Sequence, residues 1–198
     1  VSIKEADTYM HNISGCYECY SQTAGGINSL WIQQTDGEPE AVVKIYPFDY
    51  GHYSCLTCQA VFDQGVWKIS PTEDNSIPSE IRFTASDGTI TVYPASYVIT
   101  WGDQYTVYID GIYEMTHPAD PITQEMLDKV AADLNVPEDM ARTYVVGTPD
   151  YYNARLSWEC PVGITTAQGG SAFAYYDVVS GSLRNPRGYS ENASDDGS

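Results

Sequence analysis

Ile81-Arg82-Phe83-Thr84-Ala85-Ser86-Asp87-Gly88-Thr89-Ile90-Thr91-Val92 is the stretch on which the reading of the fold turns. Ile81, Phe83, Ala85, Ile90 and Val92 alternate with mostly polar neighbours, the period-two pattern of half-buried strands. Asp87-Gly88 between the two runs has the chemistry of a tight hairpin turn, where both central residues adopt positive φ. The same grammar extends outward on either side. Leu30/Ile32, Ala41/Val43/Ile45 and Tyr105/Val107/Ile109 alternate in the same way. Ala24-Gly25-Gly26, Asp36-Gly37, Tyr50-Gly51, Gln64-Gly65 and Gly102-Asp103 punctuate them. About eight strands are expected, near 15–22, 28–34, 40–47, 53–62, 65–70, 79–85, 88–94 and 104–114, with 96–101 a ninth candidate. Evenly spaced short strands and tight turns fit an up-and-down barrel or a sandwich. A meander favours the barrel, because closure removes exposed edges.

The flanks read differently. Ser2-Ile3-Lys4-Glu5 has capping-box spacing, and Ala6, Tyr9, Met10 and Ile13 follow at helical intervals, predicting a helix over 1–13. His117-Pro118-Ala119-Asp120-Pro121 breaks the strand pattern and divides the chain at a 117–121 linker. Met126, Leu127, Val130, Ala131 and Leu134 then form a helical stripe, with Thr123 as N-cap and Asn135 and Pro137 as terminators. Ala154, Leu156, Trp158 and Cys160, then Ala172–Val179, read as strands. This second unit, 122–189, is small and is expected to pack on the barrel of 14–116. Residues 190–198 lack large apolar side chains and are expected to be disordered. The expected fold is therefore mainly β (α+β overall): an antiparallel up-and-down barrel of about eight strands and a small helix-plus-strands unit.

The chain has 198 residues, 27 Asp and Glu against 9 Lys and Arg, and a formal charge of −18. Its 17 Tyr, four Trp and four Phe supply a core, so the acidity does not signal a disordered polymer. Nine scattered cations form no patch for releasing phosphate counterions, which excludes nucleic acid as the expected partner and disfavours an anionic membrane surface. No apolar run approaches the roughly 18 residues of a membrane span. The chain opens at Val1 without an initiator Met, giving the expectation of a removed secretion or lipoprotein signal. Acidic, Tyr-rich and Lys-poor composition together with five cysteines points to an extracellular or cell-surface location.

Cys16-x-x-Cys19 and Cys55-x-x-Cys58 could form a four-thiolate zinc site. Both pairs lie within predicted strands, however, where residues three apart face opposite ways. Disulfides fit better, since 16+58 and 19+55 both equal 74, as one antiparallel register requires. That register would pair the first and fourth strands, which are not neighbours in a simple meander, so it implies a distorted barrel or a sandwich. Buried thiols are the second reading and a metal or redox role the third. Cys160, beside Trp158, reads as a buried thiol.

Other chemistry is thin. His11, His52 and His117 share no motif with a nucleophile. Glu38/Glu40 and Glu125/Asp128 are pairs expected from abundance, and Glu18 is the one acid whose surroundings suggest partial burial. Asp-Gly turns do not reproduce a calcium loop. Gln168-Gly169-Gly170-Ser171 has no Lys to reach a phosphate. Asn12-Ile13-Ser14 and Asn192-Ala193-Ser194 are sequons expected by chance. Aromatics are the best clue to binding: Tyr46, Tyr50, Tyr53, Tyr97, Trp101 and Tyr105, with Tyr93 and Tyr108, fall near turns and strand ends, where they could line a barrel mouth. Core packing and strand propensity are the bland alternative.

Two stretches carry resemblances. Residues 14–114, opening at Ser14-Gly15-Cys16-Tyr17 and closing with Asp110-Gly111-Ile112-Tyr113, resemble a small calycin-type barrel without the lipocalin Gly-x-Trp opening. Residues 122–184, with their amphipathic helix, central strand and Tyr176-Asp177-Val178-Val179-Ser180-Gly181-Ser182-Leu183 ending, are similar to the PepSY-type module of secreted bacterial proteins and protease propeptides. The second resemblance implies an extracytoplasmic regulatory, inhibitory or binding role. The expectation is a non-enzymatic secreted or surface binding protein without cofactor or metal, its barrel holding a small apolar molecule or peptide. An inhibitor or interaction module acting on an extracellular enzyme is the alternative.

Overall fold

A computed structural model describes residues 12–48 and 54–191. The helix expected over 1–13 lies almost wholly outside the described residues, as do all but the first two residues of the tail expected over 190–198, of which Ser190 ends a strand. The chain divides into two compact units between Ala119 and Asp120.

The first unit is a closed antiparallel barrel. Its strands are β1 (Gly15–Ser21), β2 (Gly26–Gln34), β3 (Glu40–Tyr46), β4 (Leu56–Asp63), β5 (Val66–Ile69), β6 (Ile81–Ser86), β7 (Thr89–Val92) and β10 (Gly111–His117). They meander in sequence order, and β10 returns to pair with β1. The Asp87-Gly88 turn has φ of 41° and 77°, as a two-residue hairpin requires. Alternation delivers one face of every strand inward. Tyr17, Leu30, Ile32, Val43, Ile45, Trp67, Ile69, Ile81, Phe83, Ile90, Val92 and Tyr113 are all buried in one cluster. Eight strands enclose an interior just wide enough for side chains, and here side chains fill it.

The stretch 104–114, expected as one strand, is divided between a hairpin strand and β10, and the ninth candidate at 96–101 is the hairpin's other strand. β8 (Ser96–Trp101) and β9 (Asp103–Tyr108) form a separate two-stranded hairpin. Ile109 and Asp110 then lead into β10, where Gly111 has φ of +142° and a Cβ would stand 2.7 Å from Cys19 Sγ. Only glycine fits so close an approach in that conformation. Because β7 and β10 pair directly, Val92 opposite Gly111, the hairpin leaves the wall and folds over one end. Tyr97 and Val107 from it, Ile109 just after it, and Ile77 from the loop before β6 enter the barrel core and cap that end.

In the second unit the helix α1 (Gln124–Asp133) packs on a sheet in the order β11 (Arg142–Val146), β13 (Ser157–Thr166), β14 (Ser171–Asp177), β15 (Leu183–Ser190). A short β12 (Asp150–Tyr152) pairs with the start of β13. Thr123 caps the helix by accepting from Met126 N, and Asn135, at φ of 59°, ends it as expected. Leu127, Val130, Ala131 and Leu134 pack on Val162, Ile164, Ala172, Ala174 and Tyr176, a core of the unit's own. The Tyr176-to-Leu183 ending is a tight turn. Asp177 Oδ1 accepts from Val179 N (2.9 Å), Ser180 N (3.0 Å) and Ser157 Oγ (2.7 Å), and Gly181 supplies φ of +72°. Burial acts to raise the pKa of Asp177, and these hydrogen bonds outweigh it, holding the carboxyl below its ordinary value.

Candidate functional site

Two inward tyrosines organise the two ends of the barrel. Tyr113 donates its hydroxyl to Ile109 O (2.6 Å) at the hairpin end, and Tyr17 donates to Ile13 O (2.8 Å) at the other. Each buried phenol thereby pins a chain segment across an opening. Burial raises both hydroxyl pKa values, that of Tyr17 to about 12 with help from Cys16. The hairpin end is further locked by Asn28, fully buried on β2. Its Nδ2 donates to Tyr108 O (2.8 Å) and its Oδ1 accepts from Phe48 N (2.7 Å). One amide thus ties both the hairpin and the segment after β3 to the barrel wall.

The opposite end keeps a recess of about 320 Å³. Tyr17, Phe62 and Trp67 form its floor and wall, with Ile13 beside them, and the turn Ser86–Thr89 with Gly65 forms its rim. Phe62 meets Trp67 at 5.3 Å and 57°, and Trp67 lies parallel to Phe83 at 6.0 Å, which fixes the indole plane from behind. Ile13 is held by its own N–H to Gln34 Oε1 (3.0 Å). The rim offers backbone groups and the exposed Asp87 carboxylate. Chemically this is a recess with a mainly polar lining, with Phe62 half-buried at its side and Tyr17 and Trp67 almost wholly buried beneath it; its polar groups can hydrogen-bond the substituents of a small ligand.

The aromatic residues singled out from sequence fall elsewhere. Tyr46 (5% exposed) and Tyr97 (4%) are buried near the hairpin end, and Tyr105 is half-buried within the hairpin. Tyr50 and Tyr53 lie outside the described residues. Trp101 stands opposite Asp103 in the hairpin. The residues that do form a recess, Tyr17, Phe62 and Trp67, carried a usable signal: each sits on the inward phase of its strand within a few residues of a turn. Period two shows which side of the wall a residue faces, and strand direction shows which end it occupies.

The two-bridge disulfide register is not the pairing the strands adopt. β1 lies between β2 and β10, β4 lies between β3 and β5, and two strands therefore separate Cys16 from Cys58. Cys19 and Cys58 are thiols, donating to Tyr20 O (3.7 Å) and Val43 O (3.4 Å), so neither proposed bridge, 16–58 or 19–55, forms. Burial, aided by Cys55, pushes the Cys58 thiol up to about 12 and raises that of Cys19. Cys160 is a buried thiol beside Trp158, with its pKa also raised to about 12 by burial and by Asp150 and Asp120. Cys16 faces outward with Trp31, donating to Pro118 O (3.5 Å) while the indole donates to Ala119 O (3.1 Å).

His11 and His52 lie outside the described residues, and His117 ends β10 with Nδ1 3.1 Å from Thr116 Oγ1. Glu18 is half-buried on the wall, opposite Ser29 and Glu114. Among the described residues no three His, Cys, Asp or Glu side chains converge as a metal site, and no helix is long and apolar enough to cross a membrane.

In unit two, sequence reasoning missed a buried ion pair. Glu159 (2% exposed) accepts from Arg184 Nε at 2.7 Å, and Arg155 approaches at 3.8 Å. The Arg184 guanidinium lies between the rings of Tyr152 (4.8 Å) and Tyr175 (4.3 Å). Such a constellation anchors the sheet.

No family model, curated protein or solved structure matches this chain.

Proposed function

We propose that the protein is a non-enzymatic binding protein whose barrel takes one ring of a small ligand, or one cyclic side chain of a peptide, in the recess at the Tyr17 end. The carrying observation is the coincidence there of a half-buried Phe62 edge, the polar groups of residues 86–89 and a volume of about 320 Å³, beside an interior otherwise filled by side chains. That volume sits at the low end of ligand sites, about 300–1,000 Å³. A ring with polar substituents therefore fits better than a long acyl chain, which would need the interior space that Tyr17, Trp67, Phe83 and Tyr113 occupy. This narrows the expected apolar ligand to a flat one with a polar edge. The calycin-like meander supports a carrier role in general terms, and the acidic, Lys-poor composition supports placement outside the cell.

The test is a screen of ring compounds (indoles, phenols, monosaccharides, cyclic dipeptides) by amide chemical-shift mapping, repeated with Trp67→Ala and Tyr105→Ala. Binders should shift Trp67 and residues 86–89, lose affinity in Trp67→Ala and keep it in Tyr105→Ala. A screen whose binders all map to Tyr46, Tyr97 and Tyr105, or which finds none, overturns the reading.

A further inference from the structure

The sheet of the second unit has two edges, and they are built differently. β15 carries Pro186, Arg184 and Arg187, has register shifts against β14 on both sides of Phe173, and bends at Asn185, where φ is 48°. Proline, charge and irregularity are the usual means of blunting an edge against further pairing. β11, Arg142-Thr143-Tyr144-Val145-Val146, has an unbroken register against β13 and no proline, and Val145 is 65% exposed.

The ladder shows which backbone groups β11 leaves outward. Gly147 donates to Pro161 O and Ala167 to Ala141 O, so odd-numbered residues from 141 to 147 bond β13. The N–H and C=O groups of Arg142, Tyr144 and Val146 consequently point away from the sheet, as alternation in an antiparallel pair demands. Alongside them runs a groove of about 530 Å³ between the strand and one flank of α1. Gln124, Asp128 and Ala132 line the helix side at intervals of four, Arg142 and Tyr144 line the strand side, and Val136 and Glu138 come from the connection between them. Tyr144 donates its hydroxyl to Asp128 Oδ1 (2.9 Å), and Gln124 Nε2 donates to the same oxygen (3.0 Å), fixing a carboxylate at the middle of the groove.

We infer that β11 and the facing flank of α1 form a docking groove for an extended, basic segment of a partner protein, taken up by strand addition. Outward backbone groups of three residues supply the ladder, and a groove beside the new strand receives its alternate side chains. Charge selects the occupant: Asp128 and Glu138 outnumber Arg142, and the whole chain carries −18, so a segment with Lys or Arg at alternate positions is attracted. The same charge opposes a second copy of this chain on the edge. This inference stands independently of the barrel recess.

The full chain, isotope-labelled, is titrated with the capped peptide Lys-Val-Lys-Val-Lys-Val-Lys. Two control peptides have equal charge, one N-methylated at alternate amides and one with proline for the central valine. The expected result is amide shifts on residues 124–132 and 142–146, with affinity lowered about tenfold or more by either backbone control. Asp128→Lys with Glu138→Lys should weaken binding comparably. Val146→Pro, which removes an outward N–H and no bond to β13, should do the same while the Val130 and Ile164 signals stay in place. Controls that bind as well as the parent reduce the effect to unspecific charge attraction and overturn the inference. Absence of binding, shifts elsewhere, or a dimer in sedimentation that Val146→Pro dissolves, overturns it also.

Discussion

Replacing Asn28 by Ala unlocks the hairpin end of the barrel. The side chain is fully buried and makes two bonds to backbone, at 2.8 Å to Tyr108 O and 2.7 Å from Phe48 N. Two bonds at roughly 1 kcal/mol each give about 2 kcal/mol. A buried backbone group left without a partner adds ~1–3 kcal/mol, toward the low end here because Phe48 is half-buried and water can reach its N–H. The expected loss is therefore about 3 kcal/mol, which moves a urea midpoint down by about 1–2 M for an ordinary m-value. Native-state hydrogen exchange localises the effect. The Phe48 amide, which Asn28 accepts from, should lose protection outright, while amides of β2 and β3 such as Leu30 and Val43 should lose only the global decrement. A loss under about 1 kcal/mol with Phe48 protection unchanged would refute the argument that one amide holds two segments to the wall.

Arg184→Ala should destabilise the second unit by about 3 kcal/mol, because the buried Glu159 keeps only the Arg155 contact at 3.8 Å. Adding Glu159→Gln should recover a good part of that loss in a double-mutant cycle; a purely additive cycle would show that the pair is not coupled. Alkylation at pH 8 should modify the exposed Cys55 first and leave Cys58 and Cys160 slow, with their rates climbing as pH rises toward their raised pKa values; peptide mapping reads this directly. The depressed pKa of Asp177 means its stabilising contribution is full at neutral pH and fades as pH falls through and below the ordinary carboxylate range. Asp177→Ala should remove that part of the acid sensitivity, seen as a flatter Tm-against-pH curve below pH ~4.

The hairpin at Asp87-Gly88 and the period-two runs around it carried the barrel, because half-buried strands write inside and outside directly into sequence. The hairpin β8–β9 was harder to place. Its residues alternate like wall strands, and the pairing of Gly111 with Val92 is what shows where the wall resumes. β11 and β15 escaped notice for opposite reasons: one is five residues long, and the other carries Pro186 and two arginines. α1 was legible to its ends, since Thr123 and Asn135 are local signals that need no tertiary partner. The cysteine sums were arithmetically consistent yet carried no information about which strands are neighbours, and barrel closure decides that. Tyrosines near turns mark both ends of a barrel alike, so sequence could not separate the capped end from the recessed one. The buried pair of Glu159 and Arg184 joins residues 25 apart, and nothing in spacing announces it.

Soaking crystals of the protein in a mixture of small ring compounds with polar substituents tests the account at its centre. The expected result is density for a ring against Phe62 and Trp67, with its polar groups on the Asp87-Gly88 lip. Density instead within the barrel, between Tyr17 and Tyr113, or beneath the β8–β9 hairpin, would contradict it.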